Sequence, residues 1–556
     1  MSDNFLLCGL RQYLAMLVGS AALAACSFST PTSDLQTIEA APVVTVAQGQ
    51  LAGSRAEGIN VFRGIPYAAA PVGDLRWKAP RPAEPWSGIR DAADFGPSCI
   101  QPPVPPTSVY FDPPKASSED CLSLNVWAPE DAEKAPVIVW IHGGSLRIGG
   151  SAQPMYDSAV YAERGIVFVS INYRLGVLGW LAHPELMAED PSGLSGNYGL
   201  LDQIAALEWV RDNIAAFGGD PDNVTIMGES AGALSVTYLL ISPPAEGLFD
   251  KAIIESTNTR NFPVLRKAVY GLPAAEEIGA DLFGKLKLDS LAEARAADAQ
   301  DLMDRATFAG GFVPQGTVDG AVIPTQLNEA FDSGAFAKVP VLAGFNSGEG
   351  RTYRAMQPAV PGSPADYEAA ILARHKQDAD EFLKLYPSGD VLESMLALAR
   401  DNVFGWSTER IVRSATAAGQ PAYLYVIDYC YPEMREKDLC AFHASEIPFV
   451  FGTAADESVY PPAWPKPSAA DALPLSQTFV DYWSSFAATG RPVSETGPVW
   501  PAYGSAESFL RIDQSSEAGE NAYPGMFEFH ERHYTAQREK GEGWYLKLGL
   551  WADPAE

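Results

Sequence analysis

The sequence has little positive charge and few histidines. Its 39 lysine and arginine residues are outnumbered by 69 aspartate and glutamate residues, which gives a formal net charge of −30, and only six histidines occur. A chain this acidic repels phosphate, so we expect no nucleic-acid partner. The sequence also lacks the GxxxxGK[ST] phosphate loop and the HExxH zinc motif. No motif in it indicates a metal or a cofactor.

Long apolar runs are also lacking, apart from an uncharged stretch at residues 13–25. A bilayer span needs about 20 residues, so this shorter stretch fits the hydrophobic part of a secretory signal peptide. It ends in Leu23-Ala24-Ala25-Cys26, which resembles a bacterial lipobox, where cleavage precedes a cysteine that then carries lipid. We predict a signal peptide over residues 1–25, a tether over 26–41 and membrane attachment only through lipid on Cys26. Cleavage after Ala24 and release of a soluble protein is the alternative.

Cysteine is scarce as well, with six residues in the chain. Cys8 would leave with the signal peptide and Cys26 would be lipidated, so four cysteines remain. An even number in an exported chain suggests two disulfides, and four buried thiols are the alternative. The simplest pairing is Cys99 with Cys121 and Cys430 with Cys440.

Apolar runs alternate with helical patterns through the rest of the chain. Residues 135–141 and 165–172 are continuous apolar runs that suit strands buried on both faces. Residues 200–217 keep helical spacing up to a pair of glycines. This alternation predicts an α/β fold with a mostly parallel central sheet and helices on both faces. Further strands are predicted at residues 223–227, 251–255, 339–344 and 423–428.

Two later segments, residues 262–309 and 364–420, have helical patterns. We expect them to form helical insertions around a site at the edge of the sheet. There is no internal repeat and no long low-complexity stretch. Residues 42–556 are therefore predicted to form a single catalytic domain.

A serine stands between two glycines in Gly228-Glu229-Ser230-Ala231-Gly232, directly after the predicted strand at 223–227. An ordinary tight turn is one explanation. The other is a strand-turn-helix that exposes the Ser230 hydroxyl as a nucleophile, as in α/β-hydrolases. Such a serine needs an imidazole to accept its proton and a carboxylate to orient that imidazole. In that arrangement both partners follow the serine, in the order acid and then histidine.

Four histidines follow Ser230. His375 lies on a polar helical face, and His530 and His533 lie in a charged segment near the C-terminus, so surface positions are predicted for all three. His443 lies between a cysteine and an apolar run, which favours it as the base.

The acid should lie at the end of a strand between Ser230 and His443. Glu349 follows the predicted strand at 339–344 and is flanked by glycines, which makes it the best-placed carboxylate. Position alone leaves Asp319 and Asp428 as rivals.

The sequence His142-Gly143-Gly144-Ser145 comes directly after the predicted strand at 135–141. Glycines there allow backbone amides to turn toward a substrate. Preorganised amides of this kind stabilise the oxyanion that forms when a carbonyl is attacked. The amide of Ala231, next to the nucleophile, would supply the remaining donor.

Taken in order along residues 44–527, these and other blocks resemble the type B carboxylesterases, the family that also contains the cholinesterases. The matching blocks are FRGIPYA (62–68), PVGDLRW (71–77), SEDCLSLNV (118–126), HGG (142–144), NYRLGVLGW (172–180), GNYGLLDQ (196–203), FGGDPDNVTIMGESAGA (217–233), GFNSGEG (344–350) and FHASEIPFVFG (442–452).

The resemblance implies an α/β-hydrolase fold and a serine carboxylesterase that hydrolyses a small-molecule ester without a cofactor. It implies a triad of Ser230, Glu349 and His443. Its oxyanion amides would be those of Gly144, Ser145 and Ala231, with Gly143 shaping the turn. It also implies polar groups around the triad at Glu229, Ser256 and Glu446, and a disulfide between Cys99 and Cys121.

The sequence departs from the family pattern at three places. Ser145 stands where a third glycine is usual, and IESTN replaces the usual QSG around Ser256. The loop between Cys99 and Cys121 contains no tryptophan. Cholinesterases bind a quaternary ammonium there through a cation–π contact, for which Tyr110 or Phe111 would be a weak substitute. Choline specificity is therefore not expected.

Two alternatives to simple ester hydrolysis remain. Carbamate or amide cleavage uses the same machinery, and a non-catalytic binding protein of this fold would have lost members of the triad. Arg147, Arg351 and Arg354 suggest the hypothesis that the ester carries a carboxylate. Solvated arginines at the rim are the simpler explanation.

Overall fold

The computed structural model describes residues 41–157 and 159–544. The predicted signal peptide, Cys26 and nearly all of the predicted tether lie outside the described residues. Sixteen strands occur in the described part of the chain. They are β1 (Val43–Val46), β2 (Gly49–Ala52), β3 (Ser54–Ala56), β4 (Ile59–Pro66), β5 (Ile89–Asp91), β6 (Ser98–Cys99), β7 (Ser117–Ser118), β8 (Ser123–Pro129), β9 (Ala135–Ile141), β10 (Val167–Ile171), β11 (Gly219–Glu229), β12 (Lys251–Glu255), β13 (Val341–Asn346), β14 (Ala422–Ile427), β15 (Ser508–Ile512) and β16 (Glu517–Glu520).

The α-helices of the described residues begin after β10 and then alternate with the remaining strands. They are α1 (Gly176–Trp180), α2 (Pro184–Glu189), α3 (Tyr198–Asn213), α4 (Ala231–Ile241), α5 (Ala275–Leu286), α6 (Leu291–Ala296), α7 (Ala299–Asp304), α8 (Leu327–Ser333), α9 (Pro364–His375), α10 (Ala379–Leu385), α11 (Val391–Arg400), α12 (Trp406–Ala417), α13 (Pro432–Glu436), α14 (Ile447–Val450), α15 (Ala469–Thr489) and α16 (Met526–Glu539).

The central sheet has the strand order β16-β15-β14-β13-β12-β11-β9-β10-β8-β4-β3. Strands β9 to β15 pair in parallel, and the strands outside them pair antiparallel. The predicted strand at 135–141 coincides with β9, and the one at 251–255 coincides with β12. The mostly parallel sheet is therefore confirmed.

Strand β9 shows why its sequence is a continuous apolar run. Val137, Val139 and Ile141 pack into one hydrophobic core, whereas Ile138 and Trp140 pack into the other. Successive side chains of a strand point to opposite faces, so a strand covered on both sides must be apolar at every position.

Helices cover both faces of the sheet. On one face α3, α4 and α12 contribute Leu207, Val236 and Ile411 to the larger core. On the other face α15 contributes Phe479 and Trp483. The layered α/β architecture predicted from the sequence is thus present.

The prediction of helical structure over residues 262–309 was wrong at its beginning. Residues 262–274 are irregular, and α5 begins only at Ala275. Pro273 lacks an amide hydrogen and keeps the residue before it out of the helical conformation, so a helix cannot run through these residues into α5. The second predicted segment, residues 364–420, does form helices α9 to α12.

Both predicted disulfides are present. Cys99 bonds to Cys121, and Cys430 bonds to Cys440. The first closes a loop that reaches the candidate site, and the second closes a loop that ends three residues before His443. No helix in the described part of the chain is long and apolar enough to cross a bilayer.

Candidate active site

The turn between β11 and α4 holds Ser230 in a strained backbone conformation, with φ 55° and ψ −118°. Its two glycines are required by close packing. A Cβ on Gly228 would lie 2.5 Å from the carbonyl carbon of Gly232, and a Cβ on Gly232 would lie 2.0 Å from Ile141 O. Strain of this kind is kept where it positions a functional group. Here it places a serine at the carboxyl end of the parallel sheet.

Ser230, His443 and Glu349 lie in one hydrogen-bonded chain. His443 Nε2 is 2.8 Å from Ser230 Oγ, and His443 Nδ1 is 2.5 Å from Glu349 Oε2. With the proton on Nδ1, the imidazole donates to the carboxylate and leaves Nε2 free to accept the serine proton. The structure therefore brings these three predicted residues together in an arrangement suited to nucleophilic attack.

The Glu349 carboxylate is fully buried and held by two donors. Ser256 Oγ donates to its Oε1 at 2.6 Å, and the backbone amide of Asn346 donates to the same oxygen at 2.9 Å. A buried carboxylate needs such donors to remain charged. Ser256 thus lies beside the triad, as the family resemblance implied.

His443 is positioned by contacts from three separate segments. The hydroxyl of Tyr110 donates to its carbonyl oxygen at 2.8 Å. Phe404 stacks on its imidazole at 4.7 Å between ring centroids. The amide of Gly348 donates to Ala441 O at 3.0 Å, which ties the loop of the histidine to the turn before Glu349.

The charges of two further carboxyl groups act on the imidazole. Glu229 Oε1 is 3.2 Å from His443 Nε2, and Glu446 Oε2 accepts a hydrogen bond from Asn346 Nδ2. Burial raises the pKa of Glu229 to about 8 and that of Glu446 to about 7. Burial of His443 disfavours its charged form, but Glu349, Glu229 and Glu446 outweigh that effect and raise its pKa.

Four backbone amides are available near Ser230. Those of Gly143, Gly144, Ser145 and Ala231 donate to no acceptor within the described residues. The amide of Ala231 is unpaired because it begins α4, where the first amides have no partner inside the helix. Free amides at this point are what an oxyanion site requires.

The loop that carries three of these amides packs tightly against Ser230. A Cβ on Gly143 would lie 2.8 Å from Glu229 O and 3.3 Å from Ser230 Cβ. Gly144 has φ 101°, and Ser145 adopts φ 58° in the left-handed region despite its side chain. The serine that replaces the usual glycine is therefore tolerated by the loop conformation at some cost in strain.

His142 has a structural part in this loop. Its ring is buried, stacks on Tyr173 at 4.5 Å and lies with Nδ1 2.9 Å from Gly143 O. Burial lowers its pKa to about 4, so the ring is neutral at physiological pH. The first residue of the HGG sequence thus supports the loop and does not take up a proton.

A cavity of about 230 Å³ opens onto Ser230. Gly143, Gly144 and Ser145 form part of its wall together with His443. Its other lining residues are Gln101, Val104, Tyr110, Asp112, Ile148, Gly149, Gln153, Met155, Tyr156, Glu229, Tyr353, Ala444, Ile447, Val459, Pro461 and Trp464. Ser230, His443 and the loop Gly143 to Ser145 therefore border one space that a small molecule can enter.

The rival acids have other partners. Asp319 accepts backbone amides of its own turn, from Ala321 to Ile323. Asp428 accepts from Ser347 Oγ and from Arg511. Neither contacts His443, so Glu349 is the carboxylate that the fold places there.

Surface positions were predicted for the other three histidines after Ser230, and for two of them the prediction was wrong. His375 is buried and stacks on Phe382, and His530 is buried with Nε2 2.8 Å from the Tyr386 hydroxyl. The segments around these histidines have polar sequences, but α9 and α16 pack against other helices there. His533 is half-buried. None of the three lies near Ser230.

The arginines do not support the hypothesis of a carboxylated ester. Arg351 forms ion pairs with Glu393 and Asp438, and Arg354 pairs with Asp438. Arg147 is half-buried beside the oxyanion loop. Among the described residues that line the cavity, none is an arginine or a lysine.

Asn346 and Phe404 also belong to the site but were not predicted from the sequence. Asn346 ends β13, and its side chain donates to Glu446 Oε2 at 2.5 Å and to Phe442 O at 3.0 Å. Its place in the GFNSGEG block, three residues before the acid, was the available signal. Phe404 lies in a π-helical turn, Asp401–Gly405, that no sequence pattern indicated.

The model of the carboxylesterase family matches residues 40–529 of the chain. The chain is 36% identical over 475 residues to the fumonisin B1 esterase of Sphingopyxis macrogoltabida, covering 83% of this chain and 85% of that protein. It is 35% identical to the para-nitrobenzyl esterase of Bacillus subtilis, covering 87% of this chain and 99% of that protein.

The chain belongs to the carboxylesterase family. A solved thermophilic PNB esterase superposes on this esterase with a TM-score of 0.74 and 33% identity, covering 88% of this chain and 99% of that one. A carboxylesterase of Geobacillus stearothermophilus gives a TM-score of 0.73 at 32% identity with the same coverage. The fold is that of the α/β-hydrolases, and the protein is a carboxylic ester hydrolase.

No group of three or more His, Cys, Asp or Glu side chains in residues 41–157 and 159–544 of the esterase is arranged to hold a metal ion. The site described above consists of a hydroxyl, an imidazole, a carboxylate and backbone amides. Each of these groups is supplied by the chain itself.

Proposed function

We propose that this esterase hydrolyses small carboxylic esters through an acyl-enzyme intermediate on Ser230, with His443 as base and Glu349 as its partner. The observation that carries the proposal is the imidazole of His443, which bridges Ser230 Oγ at 2.8 Å and Glu349 Oε2 at 2.5 Å. A serine hydroxyl is a poor nucleophile at neutral pH unless a base removes its proton as it attacks.

In the first step Ser230 Oγ forms a bond to the ester carbonyl carbon while its proton moves to His443 Nε2. The carbonyl oxygen becomes an oxyanion, which the amides of Gly144, Ser145 and Ala231 stabilise. Glu349 stabilises the imidazolium that forms. His443 then donates the proton to the alkoxide as the C–O bond breaks, and the alcohol leaves.

In the second step water attacks the acyl-enzyme. His443 accepts a proton from the water, the same amides hold the second oxyanion, and Ser230 Oγ leaves with the proton returned from Nε2. The carboxylic acid is released and the enzyme returns to its starting state.

We also propose that the chain is exported and anchored through lipid on Cys26. Two disulfides fit an oxidising compartment. Labelling of the full chain with radioactive palmitate in a bacterial host, lost in Cys26→Ala, would support the anchor. Labelling that persists in Cys26→Ala, or no labelling of the natural chain, would contradict it.

The activity is tested with a series of p-nitrophenyl esters from acetate to decanoate, using the mature chain and Ser230→Ala. We expect hydrolysis by the natural chain and a loss of at least about 1000-fold in the variant. A fluorophosphonate label should react with the natural chain and not with Ser230→Ala. Matched p-nitroanilides and carbamates show whether amide or carbamate cleavage is comparable. Ester hydrolysis that persists in folded Ser230→Ala would contradict the proposal.

A further inference from the structure

One carboxylate in the cavity has no part in the proposed triad. Asp112 lies in the loop closed by Cys99 and Cys121 and lines the same space as Ser230. It is half-buried, and much of the surrounding lining is apolar, including Met155 and Trp464. A carboxylate in such a place costs free energy unless a partner compensates its charge.

The partner that the protein supplies is incomplete. Gln153 Nε2 donates to Asp112 Oδ2 at 3.1 Å. Within the described residues, Asp112 Oδ1 and Gln153 Oε1 accept no hydrogen bond. The amide cannot be turned over, since its oxygen would then face the carboxylate. Two acceptor oxygens are therefore left at this part of the cavity.

A third polar side chain of this part of the cavity already has hydrogen-bond partners within the protein. Gln101 donates to Cys99 O at 3.1 Å and to Gly149 O at 2.8 Å, and it accepts from Gly149 N at 3.0 Å. It keeps the shape of the oxyanion loop and has little capacity left for a ligand. The cavity thus offers uncompensated acceptors at Asp112 and Gln153.

The charge of Asp112 is also poorly balanced. Burial raises the pKa of its carboxyl group, and the hydrogen bond from Gln153 and the more distant Lys115 act in the opposite direction. No lysine or arginine is found among the described residues that line the cavity. An ester with a carboxylate would be repelled here, whereas one with a proton donor would be attracted.

We propose that Asp112, assisted by Gln153, selects esters in which one arm ends in a hydrogen-bond donor, either a hydroxyl or a protonated amine. The donor binds to the free oxygens of Asp112 and Gln153 while the ester carbonyl lies at Ser230. This inference rests on the proposed function and names the substrate class of the same site.

The substrates for the test are matched in length and differ only at one end. p-Nitrophenyl hexanoate is compared with its 6-hydroxy, 6-amino, 6-trimethylammonio and 6-carboxy analogues, and the same five ends are placed on the alcohol arm of acetate esters. kcat/KM is measured for each. The trimethylammonio ester separates charge from hydrogen bonding, because it is a cation with no donor.

We expect kcat/KM for the hydroxy-ended and amino-ended esters to exceed that for the unsubstituted, methyl-ended ester by about tenfold in one of the two series. This is the gain expected from one hydrogen bond to a charged group. kcat/KM should be lower for the trimethylammonio-ended ester than for the amino-ended ester, and lowest for the carboxy-ended ester. Equal kcat/KM for all ends in both series would overturn the proposal. So would a preference for both cations without any preference for the hydroxyl.

Asp112→Leu should bring the ratio of kcat/KM for the hydroxy-ended and methyl-ended esters close to one. Asp112→Asn keeps an acceptor oxygen without the charge, so it should lower the ratio for the amino-ended ester most. Asp120→Asn is the matched control, because Asp120 lies in the same disulfide loop, is exposed and does not line the cavity. It should keep the ratio of the natural chain. An unchanged ratio in both Asp112 variants would overturn the assignment.

Failure of this inference differs from failure of the proposed function. If the natural chain hydrolyses the methyl-ended ester and Ser230→Ala does not, the proposed function stands whatever the ratios of kcat/KM between the esters are. If no ester is hydrolysed by the folded natural chain, the proposed function fails first. The ratios test Asp112 alone.

Discussion

The ring of Phe404 lies against the imidazole of His443, with centroids 4.7 Å apart and planes inclined by 27°. Phe404 belongs to the π-helical turn Asp401–Gly405 between α11 and α12. The turn is held at its start by Asp401, whose Oδ2 accepts from the Tyr386 hydroxyl at 2.9 Å. A π-helical turn often marks a functional site, and here it positions an aromatic ring against the proposed base.

Replacing Phe404 by Leu should therefore lower kcat about tenfold and leave KM nearly unchanged, because small displacements of a catalytic group are costly. Kinetics on one p-nitrophenyl ester measure this. Phe529→Leu is the control, since Phe529 is equally buried but packs in a separate cluster. If the two variants lose the same fraction of kcat, the effect is on general stability and the positioning role is wrong.

A methyl group on Gly143 should damage the oxyanion site. Its Cβ would lie 2.8 Å from Glu229 O and 3.3 Å from Ser230 Cβ, so the loop has to move. We expect Gly143→Ala to lower kcat/KM about 100-fold, the loss typical of one oxyanion donor. Gly284→Ala is the control, because a Cβ there meets no atom within 4 Å. Activity of Gly143→Ala close to that of the natural chain would contradict the prediction.

The pH dependence should respond to Glu229. The negative charges of Glu349, Glu229 and Glu446 raise the pKa of His443 against the effect of burial. Activity requires the neutral imidazole, so kcat/KM falls as the pH drops through that pKa. His443 titrates near pH 9, where Glu229, with a pKa of about 8, is ionised. Glu229→Gln removes that charge, lowers the pKa of His443 and moves the acid limb to lower pH by about 1 unit. A shift to higher pH would show that the sign is wrong.

The disulfide between Cys430 and Cys440 should stabilise the loop that leads to His443. It closes a short loop whose end is hydrogen-bonded to the turn before Glu349. Loss of the bond in Cys430→Ser/Cys440→Ser should lower the free energy of unfolding by about 2–3 kcal/mol. Thermal unfolding measures the change in stability, and kcat, measured on the same samples, reports on the loop of His443. The double serine variant of Cys99 and Cys121 serves for comparison, and unchanged stability of the Cys430/Cys440 variant would refute the prediction.

A buried ion pair joins the blocks NYRLG and LLDQ. Arg174 Nη2 lies 2.7 Å from Asp202 Oδ1, and both side chains are almost completely buried. Asp202→Asn leaves an uncompensated buried guanidinium and should cost about 3–5 kcal/mol of stability. Chemical denaturation measures this. In the exposed Arg211–Asp212 pair the same change at Asp212 should cost less than about 1 kcal/mol, and an equal loss in both variants would contradict the argument.

The sequence predicted the parallel sheet and the sharp turn between β11 and α4 at Ser230, called the elbow below, because both depend on local properties. A strand buried on both faces must be apolar at every position, as β9 is. The glycines of the elbow are needed wherever that turn is made, since a Cβ on Gly232 would meet Ile141 O at 2.0 Å. The order of acid and histidine along the chain then limited the candidates for the partners of the serine.

The surroundings of these residues depended on contacts between distant segments, which local patterns do not encode. His375 and His530 occur among charged neighbours, yet packing of α9 and α16 buries both. The stacking of Phe404 on His443 requires a π-helical turn to arrive beside a loop from another part of the chain. Sequence alone thus determined which groups are the candidates for the chemistry. Only the tertiary structure decided what surrounds them, because burial, pKa and the polarity of the cavity arise from the packing of segments far apart in the chain.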